Sequence, residues 1–241
     1  MRTELLGKAA YLTVISTGRP GNVAPMHDAL RGAQPTWVVR DSDVQAYQDA
    51  GAQHVAAAPK GVAAARNFAL SAAFDEQLPS VTLSDDFRRV KAAKSGAKPT
   101  ELTLTEALGT LLEHTQMSGF KLGGASPTDN AYFVRHDHQA QHFIVGDATV
   151  VTPCPLRYDT RLQLKEDYDF TLQHIEAYGG ANRCDHLLFT WKHYSNKGGA
   201  VDTRTVEVEQ EAIALLMRKW PGQVRLNPKR ENEVLLVKRQ R

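Results

Sequence analysis

The segment Pro79-Ser-Val-Thr-Leu-Ser-Asp-Asp-Phe87 ends a short apolar run in two adjacent carboxylates, Asp85 and Asp86. Like charges side by side repel and must be kept out of an apolar core. A Ser/Asp turn accounts for them. So does a divalent cation, because hard cations take carboxylate oxygens. A second acidic group, Glu166, Asp167 and Asp169, crowds a predicted helix start, where the helix dipole favours negative charge. Arg66 lies on an Ala-rich helical stretch and can grip a phosphate or a base, or pack its stem on the helix surface. The run Arg135-His-Asp-His-Gln-Ala-Gln-His142 suggests zinc, with His136 and His138 on one side of a strand. That run also reads as a polar hairpin turn, and no fourth ligand is evident. The two cysteines, Cys154 and Cys184, form no metal-spaced motif and read as reduced thiols of a cytoplasmic protein.

These groups need elements to hold them. Ala10–Ile15, Thr36–Arg40, His54–Ala57 and the run before Asp85 read as strands, and Val62–Phe74 as a helix. Strands alternating with a helix predict an α/β fold with a mostly parallel sheet flanked by helices. In such sheets ligands bind beyond the carboxyl ends of the strands. Ser16–Arg19, Arg40–Asp41 and Ser84–Asp86 all fall at those ends. Thr103 and Glu106 have capping-box spacing and open a helix with Leu104, Leu108, Leu111 and Leu112 on one face. Lys121–Pro127 reads as a loop. Ala131–Arg135 and Gln141–Val145 read as two strands joined by a polar turn, and a small antiparallel addition to the sheet is expected. Leu164–Tyr178 reads as a helix stopped by Gly179-Gly180. Asp185–Trp191 reads as a strand and Glu207–Lys219 as a closing helix. No linker or repeat divides the 241 residues, so one domain is expected. It comprises a first half over about 8–90, a second half over about 100–205, and a basic segment over 218–241.

The series Gly61…Arg66-Asn67, then Ser84-Asp85-Asp86, resembles the nucleotide-sugar glycosyltransferases of the Rossmann-like GT-A fold. The later motifs Lys165-Glu-Asp-Tyr-Asp169 and Trp191-Lys-His-Tyr-Ser-Asn-Lys-Gly-Gly199 narrow the resemblance to the TET-associated DNA glycosyltransferases, a largely bacteriophage group. The resemblance implies a UDP-sugar donor held by Mn2+ or Mg2+, and transfer to the hydroxyl of 5-hydroxymethylcytosine in DNA. It implies Asp86 and His193 as metal ligands, and Asp85 as a contact to metal-bound water or ribose. Ser84 stands where the family pattern has its first acid. The resemblance also places uracil and ribose against Ser16, Thr17, Gly18 and Arg19, and Asp167 as general base with Glu166 orienting acceptor or donor. Asp41 is a candidate to read the base edge, Arg66 to hold phosphate, and Gly123 and Gly124 to let backbone approach the donor sugar. Lys197 and Arg204 would bring positive charge to the diphosphate.

Composition permits this reading without requiring it. The apolar fraction of 42% suffices for a core, and no apolar run is long enough to span a membrane. Net charge is only +2, yet Arg88, Arg89, Lys91, Lys94 and Lys98 form one basic run and residues 218–241 another. Either run suits DNA phosphates or a solvated face. Rival readings are a transferase acting on protein or glycan, a nucleotidyltransferase, and a non-catalytic DNA-binding scaffold.

Overall fold

The structure is a computed structural model and describes residues 2–93, 98–134, 138–192 and 205–237. It is an α/β fold. A hairpin of β1 (Arg2–Leu5) and β2 (Lys8–Ile15) leads into α1 (Val23–Leu30), β3 (Thr36–Arg40), α2 (Val44–Asp49) and β4 (His54–Ala58). Helix α3 (Val62–Asp75) then returns the chain to β5 (Ser80–Ser84). Strands β2, β3, β4 and β5 are mutually parallel, with β2 between β3 and β5. Their carboxyl ends form one rim.

After β5 come β6 (Phe87–Ala92), β7 (Thr100–Leu102) and α4 (Leu104–Ser118). The N-terminus of α4 carries the complete capping box of Thr103 and Glu106 that the spacing predicts. Strand β8 (Leu122–Ala125) follows, then β9 (His138–Gln139), β10 (Ala148–Val151), α5 (Glu166–Tyr178), β11 (Asn182–Cys184) and β12 (Leu187–Trp191). Helix α6 (Val206–Lys219) and a hairpin of β13 (Val224–Leu226) and β14 (Val234–Leu236) close the described chain. The main sheet runs β4-β3-β2-β5-β10-β8-β11-β9. Strand β10 is antiparallel to both neighbours, while β8 and β11 are parallel to each other. Strands β12, β6 and β7 form a separate antiparallel sheet.

Both faces of the main sheet are covered, which is why its strands read as near-continuous apolar runs. Leu12, Val14, Trp37, Val81 and Leu83 meet α1, α2 and α4 on one face. On the opposite face, Thr13 and Thr82 share a hydroxyl hydrogen bond at 3.0 Å. Ala65 and Ala69 of α3 pack there against Val38.

Two expectations fail here. Residues 121–127 are not a loop, since β8 is a buried interior strand. Its Gly-Gly pair is a packing device: a Cβ on Gly123 would fall 1.8 Å from Thr115 Oγ1, and one on Gly124 2.2 Å from Ile144 Cγ2. Nor do the described residues of 131–145 form the two expected strands; the strand among them, β9, falls in the expected turn. Ala131–Phe133 is a 3-10 turn, and the pairing strand is β10, further along. Loss of side chains at Gly123 and Gly124 hides the first strand from hydrophobic patterning, and Phe143-Ile-Val145 mimics a second.

Candidate active site

The rim of the parallel strands opens into a cleft of about 1350 Å³. Its walls come from the β2–α1 loop, the start of α3, the end of β5, the segment before β10, the N-terminus of α5 and the β13–β14 hairpin. Gly61 caps α3 with φ +107°, a conformation that glycine adopts without steric cost. The first turn of α3 thereby reaches the cleft wall, where a helix N-terminus favours an anion.

Arg66 lies on this wall and is buried. Its Nη1 stands 3.4 Å from Glu166 Oε1 of α5. Burial opposes its charge, but Glu166, Tyr158, Asp167 and Asp147 outweigh that, and the guanidinium is held above its ordinary pKa. The space it occupies exists because residue 146 is glycine; a Cβ there would meet Nη1 at 2.0 Å. Asn67 has a positioning role. Its side chain donates to Tyr158 O at 2.9 Å and accepts from Tyr158 N at 2.8 Å. This seats the Tyr158 ring beside Arg66, 5.3 Å from guanidinium carbon to ring centroid.

Asp167 follows Glu166 on the same wall. Its Oδ2 accepts from Gly146 N at 3.1 Å and its Oδ1 from Tyr168 N at 2.9 Å. Burial and the Glu166 charge lift its pKa well above the ordinary carboxylate value, with Arg66 pulling the other way. The helix entry itself is bent: Lys165, at the N-cap of α5, adopts φ +62°. Asp169, the third acid of this motif, does not reach the cleft. It is fully buried and accepts from Trp220 Nε1 at 2.7 Å, while Lys219 Nζ lies 2.8 Å from its Oδ1. It clamps α6 to α5.

The acidic rim divides its two members. Asp86 lines the cleft, 3.9 Å from Arg19 Nη1. Asp85 is turned inward and does not line it. Ser16 donates to Asp85 and also shares a hydrogen bond with Tyr47, and Arg19 Nη2 lies 2.7 Å from Asp85 Oδ1. Burial nonetheless raises the Asp85 pKa. This carboxylate, expected to contact ribose or metal-bound water, is turned from the cleft wall and anchors the Ser16–Arg19 loop. Ser16, Thr17 and Arg19 line the cleft. Gly18, at φ +65°, turns the loop and donates its N–H to Asp43 Oδ2 at 2.8 Å. Asp41 is exposed and off the cleft wall, so Asp43 supplies the carboxylate at this loop. Gly123 and Gly124 lie within the sheet and are likewise off the wall, because Thr115 and Ile144 fill the space beside them. His193, Lys197 and Arg204 lie outside the described residues.

The donor set at Asp86 suits a cation of one kind. Mg2+ and Mn2+ on nucleotides take one or two protein carboxylates and complete their shell with phosphate oxygens and water. Asp86 meets that need for an ion arriving with a diphosphate. Asp85 lies off the cleft wall, hydrogen-bonded by Ser16 and ion-paired with Arg19.

Several cleft residues escape sequence reasoning. Asp147 accepts from Ser84 Oγ at 3.1 Å and joins the rim. Lys60, Lys165, Arg183 and Arg230 add positive charge to the walls. Phe133 lines the mouth beside Tyr132, the two rings 5.4 Å apart and both exposed. The Gly146-Asp147 turn after Phe143–Val145 is the signal that could have located Asp147; the aromatic pair has none.

Comparison with protein-family models, curated proteins and solved structures gave no match. No helix among the described residues is long and apolar enough to cross a membrane.

Proposed function

We propose that the chain is a metal-dependent glycosyltransferase that moves a sugar from a UDP-sugar to the hydroxyl of 5-hydroxymethylcytosine in DNA. One observation carries the reading: Arg66, Glu166 and Asp167 share a cleft with Asp86, at the carboxyl ends of parallel strands. A buried cation, a rim carboxylate and a carboxylate of raised pKa are the parts that transfer from a diphosphate donor requires.

Asp86 would hold a divalent ion together with the two phosphates, and that ion would neutralise charge on the departing diphosphate. Arg19 and the first turn of α3 add positive potential on the same side. Asp167 takes the proton from the acceptor hydroxyl as its oxygen attacks the anomeric carbon. The bond from that carbon to the phosphate oxygen breaks, and UDP leaves with the electron pair. A base poised above the ordinary carboxylate range retains more driving force for proton removal near neutral pH. Arg66 holds Glu166 and keeps the Glu166-Asp167 start of α5 at the cleft.

The exposed Tyr132–Phe133 pair at the mouth favours a planar acceptor, since aromatic faces stack bases. This supports a nucleobase over a protein or glycan acceptor. Arg88 and Arg89, exposed on β6, suit phosphate contacts.

The test incubates the protein with Mn2+, a panel of UDP-sugars and hydroxymethylated DNA, then weighs the digested nucleosides. A mass gain of one hexose on hydroxymethylcytosine is expected with at least one donor. Donor hydrolysis without that gain moves the acceptor to protein or glycan. Neither hydrolysis nor transfer with any donor overturns the reading.

A further inference from the structure

On the sheet edge beyond β8, three histidines and a cysteine converge from four places in the chain. His114 lies on α4, His138 on β9, Cys184 ends β11, and His186 lies in the turn to β12. One ligand atom from each falls within 4.8 Å of the others. The imidazole centroids are 4.8 Å apart for His114 and His138, 5.2 Å for His114 and His186, and 5.1 Å for His138 and His186. Cys184 Sγ lies 3.6 Å from His138 Nδ1.

We propose that His114, His138, Cys184 and His186 bind one Zn2+ in a closed structural site. Imidazole nitrogen with one thiolate is a borderline-soft donor set that suits zinc, and not the hard oxygen set that Mg2+ takes. Tetrahedral zinc spaces such atoms roughly 3.3–3.7 Å apart, given its bond lengths. The observed spacing needs only side-chain adjustment to reach that.

Asn182 supplies the outer support that metal ligands usually have. It is buried, its Oδ1 lies 3.0 Å from His138 Nδ1, so that with this N–H held by the amide His138 would offer Nε2 to the metal, and its Nδ2 donates to Cys184 Sγ at 3.4 Å. One amide thus orients two of the four ligands.

The architecture explains what the metal does. Strand β9 has two residues, and its described ladder is the pairing of His138 and Gln139 with Cys184 and Arg183. So short an edge is weakly held by backbone bonds alone. Zinc would tie it to α4, to β11 and to the turn before β12. The approach of α4 depends on Gly123, whose missing side chain lets Thr115, the residue after His114, sit against β8. Four protein ligands leave no open coordination position, so the ion is structural and not catalytic. Strand alternation puts Arg183 on the opposite face from Asn182 and Cys184, where it lines the cleft. The metal therefore steadies the strand that carries Arg183, which is itself paired with Asp185 at 2.6 Å.

The test uses the full chain, stripped with a chelator and titrated with Zn2+ and, separately, Co2+. One zinc per chain is expected by elemental analysis, with a rise in Tm. Cobalt should give the intense visible bands of a tetrahedral site and a sulfur-to-cobalt charge-transfer band in the near ultraviolet. Cys184→Ser should lose the charge-transfer band. His138→Gln, at an exposed position, should fold and bind zinc more weakly, and Asn182→Ala should lower affinity about 10–100-fold. Asp86→Asn should keep zinc, which separates this site from the cleft. Failure of the native chain to take up stoichiometric zinc overturns the proposal, as does an unchanged affinity in a folded His138→Gln chain.

Discussion

Arg66 of α3 and Glu166 of α5 meet at 3.4 Å, both buried, and join the α3 wall of the cleft to its α5 wall. Removing one partner of a buried pair strands the other charge. Arg66→Ala is therefore expected to cost about 3–5 kcal/mol of stability. Urea unfolding of the purified variant measures it. Glu166→Gln, which keeps shape and hydrogen-bonding capacity, should cost less and still reduce transfer.

Gly146 is a steric counterpart of the same pair. A methyl group at this position collides with the guanidinium at 2.0 Å from Nη1. Gly146→Ala should push Arg66 off Glu166 and disturb the N–H that Asp167 accepts. A displacement of about 1 Å in a catalytic group can cost about 100-fold, so kcat should fall on that order while the protein remains folded. Circular dichroism beside steady-state kinetics checks both halves.

Asp167 carries a proton-transfer prediction with a defined sign. Its folded pKa is raised from 3.8 by burial and by Glu166. The basic form needed for catalysis is lost as pH falls through that raised value, so the acid limb of the kcat profile should lie well above pH 4. For stability, a raised carboxylate pKa means a contribution present below the unfolded pKa and lost as pH rises through the folded one. Asp167→Asn should thus lose transfer by about 100- to 10,000-fold, yet gain Tm relative to the native chain at pH 8 and not at pH 4. Equal Tm differences at both pH values would contradict the linkage.

Gly123 tests the corrected role of the Gly-Gly pair. Gly123→Ala places a methyl 1.8 Å from Thr115 Oγ1, itself bonded to Leu111 O at 2.7 Å. Overpacking of this kind costs about 1–3 kcal/mol. Stability should drop by that amount with donor affinity unchanged. A selective loss of donor affinity would restore these glycines to the donor site.

The first half of the chain is largely legible because its physics is local. Thr36–Arg40 forms a strand with the predicted bounds, Thr103 caps α4 as its spacing requires, and β5 delivers Asp85 and Asp86 to the rim. What was hidden depends on contacts between distant segments. Nothing in Ser84-Asp85-Asp86 says which carboxylate faces solvent; Arg19 and Ser16 decide it by claiming Asp85. Asp169 looks equivalent to Asp167 on a helix start, yet Trp220 and Lys219 from α6 draw it into the interior. The clustering of His138 is hidden for the same reason: the side chains beside it, His114, Cys184 and His186, lie far along the chain. Strand β8 was lost because two glycines carry no hydrophobic signal.

The central claim is that Asp86 and a divalent ion together hold the diphosphate in this cleft. Calorimetric titration of UDP into the native protein and into Asp86→Asn, each with Mn2+ and with chelator, tests it most directly. UDP should bind the native protein with Mn2+, weaken by tenfold or more with chelator, and bind Asp86→Asn equally weakly in both conditions. Equal UDP affinity in native and variant proteins, with or without the ion, would contradict the account.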